Sequence, residues 1–397
     1  MADGGGILVL NAGSSSIKFA VFAVGALIAD AEASLVLKGQ VEGIPANGRF
    51  RVFDADGSVR HDDAAIDVSG HDAALSHLLD WLEAADGVPG LVGAGHRVVH
   101  GGTAFTEPVL ITPKLVDELA ALEPLAPLHQ PHNVAAIRAM SARRAGLAQV
   151  ACFDTSFHAT QPDVARQTGL PLRYWKQGIR RYGFHGLSYE AIIELFPVVT
   201  GRPVPERLVV AHLGNGASMC AIQDGRSIAT TMGFSTVDGI PMGTRSGAID
   251  PGALVHIALK EDLDAEGLLD LIYEGSGLLG MSGIGADMRT LLKSDAPEAA
   301  EAIEFFCYRI NRELGSLTAA LGGLDAVVFT GGIGENAGGV RQTVCKHADW
   351  LGVELDEESN GKGGPMISRP ESRVSAWVIP AEEERAIVRH TCRVLAA

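Results

Sequence analysis

Hydrophobic and polar positions along the chain alternate between two periods. Ile7 to Leu10 form an unbroken apolar run that predicts a short buried strand, and Ile17, Phe19 and Val21 alternate with Lys18, Ala20 and Phe22 in a second one. Between them, residues 11–16 are only Asn, Ala, Gly and Ser. Side chains this small leave backbone N–H groups and hydroxyls open to an anion, with Lys18 just beyond. The same turn chemistry is equally at home in an ordinary Ser-rich hairpin. More strand and turn is expected over 23–68, broken at Gly48 and Asp56-Gly57. Leu75, Leu78, Leu79 and Leu82 recur at helical spacing and predict an amphipathic helix over 71–85. An apolar strand then closes on a turn with Arg97 and His100. Helices are predicted over 113–122 and 133–145, and the prolines at 124, 127 and 131 predict an extended loop between them, carrying His129 and His132.

The second half repeats the opening grammar. A strand over 149–153 runs into Asp154, Thr155, Ser156 and His158, and 182–190 read as a loop feeding a helix with Ser188 as its N-cap. Residues 207–225 again give an apolar strand, a small-residue turn, an alternating strand and an Asp-Gly turn, which suggests an internal duplication. Gly-rich residues 230–252 hold Arg245 and end at Asp250-Pro251, which predict the start of a helix over 251–260. Further helices are expected over 264–273 and 297–321, the latter closed by Gly322-Gly323. Residues 325–344 predict a third strand, a glycine loop and a helix. A loop at 361–365, a strand at 374–380 and a terminal helix from Glu382 follow.

A length of 397 residues predicts two or three domains, and 47% hydrophobic with 20% charged residues is ordinary for a folded chain. The net charge of −16 argues against nucleic acid as a partner. The opening MADGGG lacks the features of a signal peptide, and no apolar run reaches the ~18 residues of a membrane helix, so no membrane partner is expected. Five scattered cysteines with no CxxC pair predict reduced thiols and a cytoplasmic setting.

Three apolar strands therefore run into small-residue loops, at 11–16, 214–218 and 331–339. Phosphate oxygens need converging N–H donors without side-chain bulk, so three such loops in an acidic chain predict nucleotide binding. GxxxxGK[ST] is absent, and no early strand–GxGxxG–helix unit occurs, which disfavours P-loop and Rossmann proteins. Arg97, Asp154, His185 and Arg245 each stand in a short polar loop beside an apolar segment. Arginine suits anionic substrates, and His and Asp suit proton or charge handling.

Eight blocks now carry a resemblance: VLNAGSSSIKF (9–19), GHRVVHGG (95–102), LAPLHQPHN (125–133), FDTSFH (153–158), YGFHG (182–186), AHLGNGAS (211–218), MGTRSG (242–247) and FTGGIGENA (329–337). Together they resemble the acetokinase family of actin-like ATPases. The resemblance implies an α/β, duplicated actin-like (ribonuclease H-like) fold of two lobes with a central cleft. The lobes would be residues 1–150 with the terminal helix 382–397, and residues 151–381. It implies Mg2+-dependent, reversible in-line transfer of the ATP γ-phosphoryl group to acetate, with Mn2+ as an alternative ion and a homodimer as the assembly.

The resemblance also implies residue roles. Asn11 and Glu383 would support the metal, and Lys18 would lie near the phosphates. His212, Leu213, Gly214, Asn215 and Gly216 would form the ATP site with Asp287, Met288, Arg289, Gly332, Ile333, Gly334, Glu335 and Asn336. Arg97 would bind the substrate carboxylate, with Val99, Leu128 and Phe184 around its methyl end. Arg245 and His185 would stabilise the phosphoryl group, Asp154 would orient the arginines or accept a proton, and His129 would sit near the phosphate. Thr236 stands where many members carry a pocket-wall proline, Ala248 where an aspartate is common, and Glu382 where asparagine is frequent. The Thr236 departure leaves propionate and butyrate open as substrates, and a non-enzymatic nucleotide switch is the more distant alternative.

Overall fold

A computed structural model of the chain describes residues 4–25, 33–66 and 68–397. The chain divides into two units, one running to Ser156 and completed by Glu382–Ala397, the other Phe157–Ala381. The expected boundary at 150 falls inside a strand of the first sheet, so residues 151–156 belong to the first unit. Within the stretch expected as strand and turn, residues 26–32 and 67 lie outside the described residues.

The first unit is built on strands β1 (Gly5–Ala12), β2 (Ser16–Val24), β3 (Ser34–Glu42), β4 (Gly48–Asp54), β5 (Val59–Ile66), β6 (Leu91–Val98), β7 (Val109–Leu110) and β8 (Ala148–Phe153). Their order in the sheet is β5-β4-β3-β2-β1-β6-β8-β7. β1 to β5 pair antiparallel in succession, whereas β6 joins β1, and β8 joins β6, in parallel. Helix His71–Ala84 presents the expected leucines to a core that includes Leu8, Leu10, Phe19 and Phe50. A second core joins Val98, Ala151 and Phe153 to Leu115, Leu119, Val134 and Ile137. The terminal helix Glu383–Ala396 packs on β6 and β8. Gly95 permits that approach, since a Cβ there would lie 2.2 Å from Thr391 Oγ1.

The second unit carries β9 (Arg207–Leu213), β10 (Ala217–Gln223), β11 (Arg226–Thr230), β12 (Ala326–Thr330) and β13 (Ser375–Val378) in the order β11-β10-β9-β12-β13. β9, β10 and β11 pair antiparallel, and β12 and β13 extend the sheet in parallel. The run β3-β2-β1-β6-β8 of the first unit has the same order and the same senses, so the duplication suspected from two hairpins extends to five strands of each sheet. Helix Gly186–Thr200 closes a core of Tyr189, Ile192 and Phe196 over Leu208, Val210, Cys220 and Trp377. Helix Pro297–Leu321 packs on β10 and ends at Gly322 in the left-handed conformation, as expected.

Several local expectations are corrected. Residues 123–133 are not one extended loop: Glu123–Leu125 form a 3-10 turn and a helix runs from Gln130 to Arg143. Pro131 is tolerated because the first helical turn has no N–H partner to lose. The glycine loop after β12 is a helix, Gly331–Asn336, followed by another, Gly338–His347. Helix Glu357–Lys362 covers the start of the expected 361–365 loop. Ser188 lies inside its helix, whose N-cap is His185 at φ 59°. Asp250 caps as expected, accepting from the N–H groups of Gly252 and Ala253.

All five cysteines are free and buried. Burial also pushes His96, His100 and His158 down to about 4, so they fold as neutral imidazoles. An unfolded histidine takes its proton near 6.5. The stability each contributes is therefore complete above about 6.5, shrinks as pH falls through that value, and is gone by about 4. Glu313 and Glu384, raised by burial, act in the opposite sense at the acid end. The urea midpoint should accordingly fall between about pH 7 and about pH 5. A flat or rising midpoint over that interval contradicts the neutral burial of the three histidines.

Candidate active site

In the first unit the chemistry gathers at the carboxyl ends of β1, β6 and β8. Leu10 is registered with His96, and Arg97 with Cys152, so Asn11 and Arg97 stand at the next-to-last positions of β1 and β6, and Asp154 directly follows β8. Arg97 donates from Nε and Nη2 to the two oxygens of Asp154, at 2.9 and 2.5 Å, and from Nη1 to Asn11 Oδ1 at 3.1 Å. Glu383 Oε2, at the start of the terminal helix, lies 3.7 Å from Arg97 Nε. The Asp154 side chain is 1% exposed and that of Arg97 17%. Burial opposes the Arg97 charge, but the carboxylates of Asp154 and Glu383 outweigh it and hold the guanidinium above its ordinary value. Lys18, exposed, pairs with Asn11 across β1 and β2 and so shares its face of the sheet.

The neighbouring turn is fixed by two side chains that the sequence left unremarked. Asn133 accepts from the Val99 N–H at 3.0 Å and donates to Ala12 O at 2.8 Å. Gln130 accepts from the His100 N–H and donates to its carbonyl. Val99 is buried, whereas Leu128 is exposed and His129 is the N-cap of the same helix. Phe184, the third expected apolar neighbour, belongs to the second unit and is buried there, its carbonyl accepting from His158 Nε2. His158 lies so close that Gly183, at φ 79°, has no room for a Cβ.

Asn11 and Glu383 supply hard oxygen donors of the kind Mg2+ takes in ones and twos, with water and phosphate completing its shell. Both stand against Arg97, and the residues fit such an ion. No group of three or more His, Cys, Asp or Glu among the described residues is arranged to hold a metal by itself. Burial, and next the charge of Glu383, raise the adjacent Glu384 above the ordinary carboxyl range.

In the second unit His185, His212 and Arg245 surround the β9–β10 turn. The rings of His185 and His212 stack at 4.4 Å. Ser218 bonds His185 Nδ1 at 2.9 Å and also bonds the Tyr189 hydroxyl, and Ser188 bonds His212 Nδ1 at 2.8 Å. Ser218 therefore holds the ring by Nδ1, and Nε2 is its other nitrogen. A Cβ on Gly216 would lie 3.7 Å from both that Nε2 and Arg245 Nη1, so the two groups converge on one turn. Arg245 is steadied by the Thr236 carbonyl, which accepts from Nη1 at 3.2 Å. Ser188, Tyr189 and Ser218 are buried; the sequence offered Ser188 as an N-cap and Ser218 as a loop residue, and gave none of the three a part in holding an imidazole.

The remaining expected nucleotide residues separate by environment. Registry of Thr330 with His212 brings the start of helix Gly331–Asn336 beside the 212–216 turn. Asn215 is exposed, and its carbonyl accepts from Gly243 N at 3.0 Å. Asp287 and Arg289 form an exposed pair at 2.6 Å, which holds neither side chain strongly, while Met288 between them is buried. Glu335 is turned to structure: its Oε1 accepts from the N–H groups of Gly331 and Ala381, both at 2.9 Å. Asn336 donates back to Gly332 O.

The acetokinase family model matches residues 6–389. The chain belongs to the acetokinase family. It is 51% identical over 391 residues to the acetate kinase of Rhodopseudomonas palustris (strain TIE-1), and 46% identical over 396 residues to that of Methylocella silvestris, covering 98% of each chain in both cases. A crystal structure of Porphyromonas gingivalis acetate kinase superposes with TM-score 0.86 at 34% identity, covering 98% of this chain and 100% of that one. A propionate kinase from Francisella tularensis superposes with TM-score 0.89 at the same 34% identity and coverage. The two matching sheets are accordingly those of a duplicated actin-like fold.

Asp154→Asn leaves Arg97 buried against one acceptor oxygen in place of a carboxylate. Urea unfolding should show a loss of about 3 kcal/mol, the low end for breaking a buried pair. A loss below about 0.5 kcal/mol would mean that the pair is solvated as surface pairs are.

Proposed function

We propose that this chain catalyses the reversible transfer of the γ-phosphoryl group of ATP to the carboxylate of acetate, giving acetyl phosphate and ADP. The observation that carries the reading is the convergence of Arg245 and His185 Nε2 on the Gly216 turn, in a member of the acetokinase family. A carboxylate is already a nucleophile, so in-line transfer needs position and positive charge more than a general base. Arg97 binds the acetate carboxylate, and Asp154, with both oxygens on that guanidinium, acts as its positioning residue. Val99 and Leu128, with Phe184, bound the methyl group. Arg245 and His185 donate to the equatorial oxygens as charge spreads over them, and His129 attends the same group.

Lys18, the 212–216 turn, residues 287–289 and the Gly332–Asn336 helix hold the nucleotide, mainly through backbone N–H groups. Asn11 and Glu383 hold Mg2+, or Mn2+ in its place, which when bound neutralises phosphate charge. Exposed apolar residues Val255, Leu259 and Leu269 on helices Pro251–Glu261 and Ala265–Tyr273 support a homodimer. Five buried free thiols support a reducing, cytoplasmic setting. No described helix is long and apolar enough to cross a membrane.

Acyl-hydroxamate formation with ATP and Mg2+ should give the highest kcat/KM on acetate, ahead of propionate and butyrate. A propionate preference would keep the mechanism and transfer the assignment to the activity named for the Francisella relative; no turnover on any of the three would end the kinase reading. Arg245→Ala should lower kcat by roughly 10²–10³, with little change in thermal stability. Near-normal turnover would remove Arg245 from the reaction.

A further inference from the structure

Arg341 is 2% exposed and is the largest fully buried side chain among the described residues. It stands on helix Gly338–His347 and makes four hydrogen bonds from three nitrogens. Nη1 donates to the carbonyls of Gly334 and Glu335, each at 2.8 Å. Nε and Nη2 donate to the Oδ1 and carbonyl oxygen of Asn360, at 2.8 and 2.9 Å. Asn360 is itself tied back to Gly338 O through Nδ2 at 2.9 Å. Every acceptor is neutral, and no ion pair to Arg341 occurs among the described residues. Burial accordingly lowers its pKa. A buried guanidinium without a carboxylate is costly, and a core side chain of equal volume would stabilise packing at least as well. What it supplies instead is a rigid, multi-toothed grip on backbone.

The grip falls on one place. Gly334 and Glu335 carry the last carbonyls of helix Gly331–Asn336, the free acceptors that a helix end must satisfy. The other end is closed by Glu335 Oε1 on the Gly331 N–H. The six-residue turn is thus held from within by Glu335 and from behind by Arg341, which leaves Gly332, exposed and with nothing within 4 Å of an added Cβ, as its open face. We propose that Arg341, anchored by Asn360, is a positioning residue for nucleotide binding that sets the Gly332–Asn336 turn in its ligand-ready geometry; this rests on the phosphoryl-transfer reading above.

Arg341→Lys keeps the charge but cannot reach both carbonyls and Asn360 at once. Isothermal titration should show ATP binding weakened roughly tenfold, and steady-state kinetics a matching rise in the KM for ATP, while the KM for acetate stays within about twofold. Asn360→Ala, which removes one anchor and leaves the arginine, should move ATP binding in the same direction by a smaller factor, and it serves if Arg341→Lys does not fold. Equal shifts in both KM values, or an altered melting temperature with unchanged ATP affinity in both variants, would overturn the proposal. Wild-type protein that binds ATP but phosphorylates no carboxylic acid would instead refute the kinase reading and leave the Arg341 result to be read on ATP affinity alone.

Discussion

Parallel strand register is the constraint on which the rest of this structure depends. The interiors of β1, β6 and β8 are apolar and buried, so a charged side chain finds no place along them except at the ends. Because the three strands are paired in register, their carboxyl ends stop side by side, and Asn11, Arg97 and Asp154 meet there from positions far apart in the chain. The second unit applies the same rule where β9 and β12 end together at His212 and Thr330. Ligands of open α/β sheets bind beyond such strand ends, and the duplicated topology provides the arrangement twice.

The two units use it differently. The first builds a charged clamp in which a nearly inaccessible aspartate fixes an arginine, and Asn133 and Gln130 fix the turn beside it. The second builds a ring of donors around a glycine turn, with hydroxyls of Ser188, Ser218 and Tyr189 setting the imidazoles. In a chain of net charge −16, cations near phosphate must be held locally, and backbone carbonyls do much of the holding. Thr236 O steadies Arg245 in this way. Carbonyls orient a guanidinium without neutralising it, which keeps its charge available to a ligand.

Thr236 illustrates how a departure in sequence is absorbed. Its contact with Arg245 is made by the backbone, so the replacement of a proline there does not remove that acceptor. The side chain can therefore vary while the arginine keeps its support. Ala248 likewise meets an arginine through its carbonyl, which accepts from both terminal nitrogens of Arg309.

Much of the local structure was legible because it is written in short-range chemistry. Apolar runs, the leucine spacing of 71–84, the Asp250-Pro251 cap and the Gly322 stop each declare themselves within a few residues. The blocks around Asn11, Arg97, Asp154, His185 and Arg245 were also legible, because charged and polar residues at the ends of apolar segments stand out and the eight blocks together resemble one family. Ser188 and the 331–339 glycines were misread because propensity names a residue's usual place, whereas packing against His212 and the grip of Arg341 decide its actual one. The sequence by itself determined which residues are chemically fit for phosphate and carboxylate. Only the tertiary structure decided that Asp154 spends both oxygens on Arg97, that Glu335 holds the Ala381 N–H, and that Arg341, anchored by Asn360, lies beneath the glycine turn, since those pairings join residues by strand register and helix packing rather than by spacing along the chain.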